Sequence, residues 1–209
     1  MENKQLIHRL LDIGAVKINS RDFFTWTSGI QSPIYCDNRL TMSYPEVRSA
    51  VADTLVDMIH ELQGGVDVIA GCATAGIPHA AWVAERLHLP MVYVRGTAKK
   101  HGRRNQIEGV AAEGSRVVVI EDLISTGRSS IQAADALREA GMEVAGILSI
   151  FTYGLAEAQT AFMEKGYQVQ SIASYEDLLN ELYSQGEMDD SQLEKLKVWR
   201  ENPYVFTNA

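Results

Sequence analysis

The stretch that most constrains this chain is Val117-Val-Val-Ile-Glu-Asp-Leu-Ile-Ser-Thr-Gly-Arg-Ser-Ser130. Four branched apolar residues in a row read as a strand buried on both faces, as in a parallel sheet. The apolar run is expected to stop at two adjacent carboxylates, Glu121 and Asp122. A small-residue turn follows, Ser125-Thr126-Gly127, and a helical pattern begins at Ser129. Gly127 tolerates positive φ and lets a ligand approach the backbone. The amides from Thr126 to Ser130 then open toward solvent at a helix N-terminus, an arrangement that favours phosphate. Such a unit can hold a sugar by its hydroxyls and a phosphate by its amides.

Acid pairs at strand ends also occur in receiver domains and in the metal-binding strand of P-loop enzymes. The P-loop reading needs an upstream G-x-x-x-x-G-K-[ST]. The nearest candidate, Gly71-Cys-Ala-Thr-Ala-Gly76, has Ile77 where the lysine belongs. A receiver places its acids near the start of its domain, whereas half of this chain comes first. The stretch closely resembles the phosphoribosyl-diphosphate (PRPP) motif of the type I phosphoribosyltransferases. That resemblance implies that Glu121 and Asp122 bind the ribose hydroxyls. It also implies that Leu123, Ile124, Ser125, Thr126, Gly127, Arg128 and Ser129 complete the PRPP site around the 5′-phosphate.

With 209 residues, 46% of them apolar and 22% charged, the chain has the means for one α/β domain with a substantial core. The formal charge of −8 argues against nucleic-acid binding as its main activity. Cys36 and Cys72 have no metal-ligand spacing, and no signal peptide is recognised, so reduced thiols in a cytoplasmic protein are expected. No apolar run approaches the roughly 18–20 residues that span a bilayer, so no membrane association is expected.

From the N-terminus, residues 3–14 read as an amphipathic helix ended by glycine. Residues 23–39 read as two short strands around Ser28-Gly29, a small cap before the main sheet. The pattern S-G-x-x-S-P-x-Y within it resembles the hood segment of the orotate phosphoribosyltransferases. Ser43 and Pro45 announce a helix over 46–62. A strand over 66–70 then leads into Gly71–Gly76, a second glycine-bracketed anion turn, here for pyrophosphate, and a helix over 77–87. Ala75 stands where family members often carry lysine. After a strand over 91–94, the ten residues Arg95–Arg104 hold five Lys or Arg and one His in an acidic protein. This run reads as a lid that closes on a polyphosphate and excludes water. It resembles the orotate enzymes' flexible loop, which puts Arg95, Lys99 and His101 on the matching positions.

Beyond the central motif the pattern gives a helix over 131–140, a strand over 144–151, a helix over 155–165 and a strand over 167–172. A capped helix starts at Ser174. In the tail, Trp199 and Tyr204 are expected to pack back onto the body, and His60, His79 and His88 to be structural. The expected architecture is a central, mostly parallel sheet flanked by helices, with a small N-terminal β-containing hood. One domain spans 1–209: hood and first helix over 1–40, core over 41–175, helical tail over 176–209.

The resemblance implies transfer of ribose 5-phosphate from PRPP to orotate, giving orotidine 5′-monophosphate and pyrophosphate in pyrimidine synthesis. Lys99, His101 and Asp122 are the expected catalytic residues, and Ser125, Ser28 and Gly29 the expected orotate contacts, with Arg39 a further cationic candidate. Mg²⁺ is the expected cofactor, held mainly through substrate and water oxygens and by no protein cage. A homodimer whose lid serves the neighbouring subunit is expected. A purine or uracil phosphoribosyltransferase shares the central motif without the hood pattern. A PRPP-sensing nucleic-acid regulator adds a basic region, whereas the basic run here coincides with the lid.

Overall fold

The computed structural model describes residues 3–19, 22–25, 29–96 and 106–206. Its centre is a six-stranded sheet in the order β10-β9-β8-β5-β6-β7. These strands are β5 (Val68–Cys72), β6 (Met91–Val94), β7 (Ile107–Glu108), β8 (Arg116–Ile124), β9 (Glu143–Thr152) and β10 (Val169–Ser174). All neighbours run parallel except β7, which lies antiparallel on the edge beside β6. Two small antiparallel ribbons precede the sheet. One pairs β1 (Val16–Ile18) with β4 (Ile34–Cys36), the other β2 (Phe24–Thr25) with β3 (Gln31–Ser32). The expected α/β architecture with a β-containing hood is therefore present.

The helices are α1 (Asn3–Asp12), α2 (Pro45–His60), α3 (Gly76–Leu87), α4 (Arg128–Glu139), α5 (Ala156–Lys165), α6 (Tyr175–Ser184) and α7 (Asp190–Glu201). They cover both faces of the sheet, and the pleat of β8 shows why Val117 to Ile120 are all apolar. Val118 and Ile120 join the core beneath α1, α2, α3 and α6. Val117 and Val119 join a second core beneath α4 and α5. Alternate side chains of a strand face opposite sides, so burying both faces demands an unbroken apolar run. Each covering helix supplies a stripe at helical spacing, such as Val47, Val51 and Leu55 on α2.

Several expectations need correcting. The strand does not stop at the acid pair: β8 continues through Glu121 and Asp122 to Ile124, still paired with β9 by Glu121↔Ser149 and Ile124↔Thr152. Backbone pairing is indifferent to side-chain charge, and β9 is long enough to extend the ladder. Ser43 is not the cap of α2. It ends a 3-10 helix, Asn38–Ser43, and Tyr44 holds the cap position without a side-chain bond, while Pro45 sits at the first turn as expected. Trp199 is fully buried, whereas Tyr204 is 54% exposed. Of the three histidines only His79 is buried, edge-on to Trp82 at 5.3 Å. Burial holds its pKa down at about 4, so it stays neutral. The first ribbon strand, β1, has no expected counterpart.

Chain order places the functional crevice. From β5 the chain runs outward through α3 to β6 and β7, then returns to the opposite side of β5 as β8 and proceeds to β9 and β10. The direction of winding thus reverses between β5 and β8, and ligands bind where their carboxyl-end loops part. These loops are the turns after β5 and after β8, the two anion turns expected from the sequence. Close packing tightens the crevice. A Cβ on Gly76 would press on the carbonyl oxygen of Ile120, so only glycine lets α3 start directly against β8.

Candidate active site

The carboxyl end of β8 divides its two acids between opposite faces. Glu121 points toward α4 and is 4% exposed. Its Oε2 accepts hydrogen bonds from the hydroxyls of Ser129 at 3.0 Å and Ser130 at 3.3 Å, and its Oε1 accepts from the amide of Asp122 at 3.1 Å. Glu121 therefore braces the first turn of α4 against the strand. Asp122 faces the hood and is half-buried. Its backbone carbonyl accepts a hydrogen bond from Asn38 Nδ2 at 2.7 Å, which ties the hood to the acid strand.

Between these elements lies a cleft of about 650 Å³. Cys36, Asp37, Arg39 and Met42 form its hood wall; Ala73, Thr74, Ala75 and Pro78 form the α3 wall; Glu121, Asp122, Leu123 and Ser129 form the floor. A second hollow of about 470 Å³ adjoins it across Ala73 and Thr74 and is lined by Ile77, Tyr93, Arg95 and Gly96. The peptide between Ala73 and Thr74 is cis. At the mouth, the Arg95 amide donates to the Gln106 carbonyl at 2.9 Å, and Gln106 Nε2 donates back to the Arg95 carbonyl at 3.3 Å. The described residues at the two ends of the basic segment thus lie together beside the hollow. Arg95 itself is drawn to Glu108, at 3.4 Å.

Electrostatics set the cleft's character. Burial, and then the adjacent Glu121, push the Asp122 carboxyl well above the usual carboxylate range, against a smaller opposing pull from the amides of Asp122 and Leu123. Burial, then Asp122 and Asp37, push the Cys36 thiol up, and burial, then Glu121 and Asp122, push the Cys72 thiol up, so both are protonated and poor nucleophiles. Asp37 is held below its ordinary value by its two-pronged bond to Arg39, at 2.6 and 2.9 Å. A ligand that donates hydroxyl hydrogens, or brings positive charge, would relieve the strained ionisation of Asp122.

The turn after β8 is set by Gly127, at φ 77°, where a Cβ would lie 2.7 Å from the Phe162 ring. Ser125 is half-buried, and Ile124 is buried. Thr126 and Arg128 line a different hollow of about 420 Å³, shared with Lys165 and Tyr204, so their side chains do not face the acid cleft. Their amides still belong to the turn. Gly29 is exposed at φ 85° and is not part of the cleft lining. Ser28, Lys99 and His101 lie outside the described residues. Sequence reasoning missed Cys36, Asp37, Asn38, Met42 and Pro78. Asn38 carried no local signal, because its partner is 84 residues away.

A fourth cavity, of about 520 Å³, lies between α5 and the edge strand β10, lined by residues such as Ile124, Phe162, Met163 and Val169. It contains no charged side chain to neutralise a polyphosphate. No helix among the described residues is long and apolar enough to cross a membrane.

Comparisons with known proteins agree with this geometry. Residues 43–176 match the model of the phosphoribosyl transferase domain. The orotate phosphoribosyltransferase of Oceanobacillus iheyensis is 53% identical over 200 residues, covering 96% of this chain and 99% of that protein. Among solved structures, the orotate phosphoribosyltransferase from Aeropyrum pernix superposes with a TM-score of 0.76 at 31% identity, covering 88% of this chain and 99% of that one. The Leishmania donovani UMP synthase gives a TM-score of 0.78 at 28% identity, covering 94% of this chain and 42% of that one. The fold is that of the type I phosphoribosyltransferases.

Proposed function

Because this chain belongs to the orotate phosphoribosyltransferases of the phosphoribosyl transferase domain family, we propose that it moves ribose 5-phosphate from PRPP to orotate, using Mg²⁺, in pyrimidine nucleotide synthesis. The observation that carries the reading is Asp122, a half-buried carboxyl between two strand-to-helix turns at the point where the sheet reverses its winding. One turn suits a 5′-phosphate, the other a pyrophosphate, and the acid between them suits the ribose hydroxyls.

The chemistry asks for little covalent help. The bond from the anomeric carbon to pyrophosphate breaks, and its electron pair leaves with the pyrophosphate. Positive charge grows on the ribose, and the orotate ring nitrogen supplies a new pair to the anomeric carbon. Asp122 accepts from the ribose hydroxyls and places negative charge near the growing cation. Glu121 keeps the turn rigid through Ser129 and Ser130. Arg95, Lys99 and His101 neutralise the departing pyrophosphate from the lid, and closure of the lid excludes water. Arg39, beside the acid cleft, is the cation available to the orotate carboxylate, together with the Ser28-Gly29 turn and Ser125.

The donor set suits a metal carried in by the substrate. Hard carboxylate oxygens of Asp122 and Asp37 face the cleft, and no group of three or more His, Cys, Asp or Glu among the described residues is arranged to hold a metal. With Asp122 and Asp37 facing it, a bound Mg²⁺ would supply charge neutralisation for the departing pyrophosphate. The protein acts as a homodimer in the cytoplasm, each lid completing the site of the other subunit.

Incubation with PRPP, Mg²⁺ and a panel of orotate, uracil, adenine and hypoxanthine tests the reading. Orotate alone should be consumed, with pyrophosphate released in equal amount, and chelation of the metal should stop it. Consumption of a purine or of uracil in place of orotate would contradict the assignment.

A further inference from the structure

We propose that Trp199, on the C-terminal helix, is a positioning residue that fixes the base-side wall of the cleft; this rests on the orotate reading above. The ribbon of β2 and β3 has two residue pairs and makes no ladder with the six-stranded sheet. A ribbon that short does not hold its place unaided. The C-terminal helix and the turn after it hold it. Trp199 Nε1 donates to the Gln31 carbonyl on β3 at 3.0 Å, across 168 residues of sequence. Phe206 packs at a tilt of 52° against Phe23 with ring centres 5.0 Å apart, and the Lys195 ammonium lies 4.6 Å from the Phe23 ring and 5.6 Å from that of Phe206.

The same indole reaches the cleft from behind. Trp199 is fully buried and stands edge-on to Tyr153 at 6.2 Å and to Tyr175 at 5.4 Å. Tyr153 directly follows β9 and lies against the backbone of Cys36, a residue of the hood wall. From Gln31 the chain passes through Ser32, fully buried with its hydroxyl on the Ile34 carbonyl at 2.8 Å, into β4 and then to Cys36, Asp37 and Arg39. One side chain thus braces both ends of the 31–36 segment that leads into the hood wall. The α3 wall and the turn after β8 do not depend on it: they are held by Gly76 against Ile120 and by Glu121 on Ser129 and Ser130. The inference is therefore selective. Loosening Trp199 weakens the hold on the base and spares the hold on PRPP.

Trp199→Phe keeps an aromatic ring and removes the N–H. The KM for orotate should rise roughly five- to tenfold, the scale of one lost buried hydrogen bond, while the KM for PRPP stays within about twofold. Val198→Ala, at an exposed position of the same helix, should change neither. Should Trp199→Phe not fold, Phe206→Leu loosens the same ribbon from its other side and must give the same split. Unchanged orotate KM with a lowered melting temperature would make Trp199 merely structural and overturn the proposal. An equal rise in both constants would overturn it too. A wild-type protein that consumes no orotate refutes the underlying reading instead, so the two failures are told apart by the wild-type control.

Discussion

Replacing Asp122 with Asn should leave the fold intact, lower kcat/KM by ~10²-fold or more, and at the same time make the ligand-free protein more resistant to heat at alkaline pH. The loss of rate is the scale of removing one contact made to charge that develops in the transition state. The gain in stability follows from the raised pKa of this carboxyl, caused first by burial and then by Glu121. A carboxyl that binds its proton more tightly in the folded state than in the unfolded chain favours folding fully below the unfolded value, near pH 4. That contribution is lost as pH rises through the folded value, because the unfolded chain then ionises more readily. Asn cannot ionise, so its advantage over Asp should grow with pH above about 4 and level off above the folded value. For a chain of this size each kcal/mol corresponds to roughly 2–4 °C in Tm. Melting curves of the two proteins from pH 5 to pH 9, paired with steady-state rates, check both halves. Unchanged kinetics would remove Asp122 from the mechanism, and a melting difference independent of pH would refute the electrostatic account.

Two inactive variants should restore one another when mixed. Lys99→Ala damages the lid, and Asp122→Ala damages the floor of the cleft. In a two-fold dimer whose lids reach across, a mixed dimer holds one site with both lesions and one with neither. Dissociation and random reassembly make about half of the dimers mixed, so roughly a quarter of wild-type activity should return. Arg95 and Gln106, at the two ends of the basic segment, are hydrogen-bonded to each other beside the hollow that continues the acid cleft. A lid that served its own chain would leave one lesion in every site, and mixing would restore nothing even with heterodimers confirmed by mass.

Much of the site was legible because its parts are local. The apolar run of β8, the acids beside it and the small-residue turn all lie within fourteen residues, and each has a physical signature that does not depend on the rest of the chain. The Ser174 cap was legible for the same reason: Ser174 and Asp177 satisfy each other's backbone amides three residues apart. The division of labour between Glu121 and Asp122 was not legible. It follows from the strand continuing past them, so that the pleat sends one toward α4 and the other toward the hood, and only the partner strand β9 decides that length. Asn38 reaching Asp122, and Trp199 reaching Gln31, escaped for a different reason. A hydrogen bond between distant segments leaves no periodicity at either end. Gly76 marks an intermediate case, since its place beside a turn suggested anion binding, and the structure adds a packing role against Ile120.

The central claim is that Asp122 and the turn after β8 hold the ribose and its 5′-phosphate, and a crystal structure with orotidine 5′-monophosphate bound tests it most directly. The account predicts the ribose hydroxyls within about 2.6–3.2 Å of the Asp122 carboxylate, the phosphate on the amides from Thr126 to Ser130, and the base against the wall of Cys36 to Arg39. A nucleotide seated between α5 and β10, against Phe162 and Met163, with the turn after β8 empty, would contradict it.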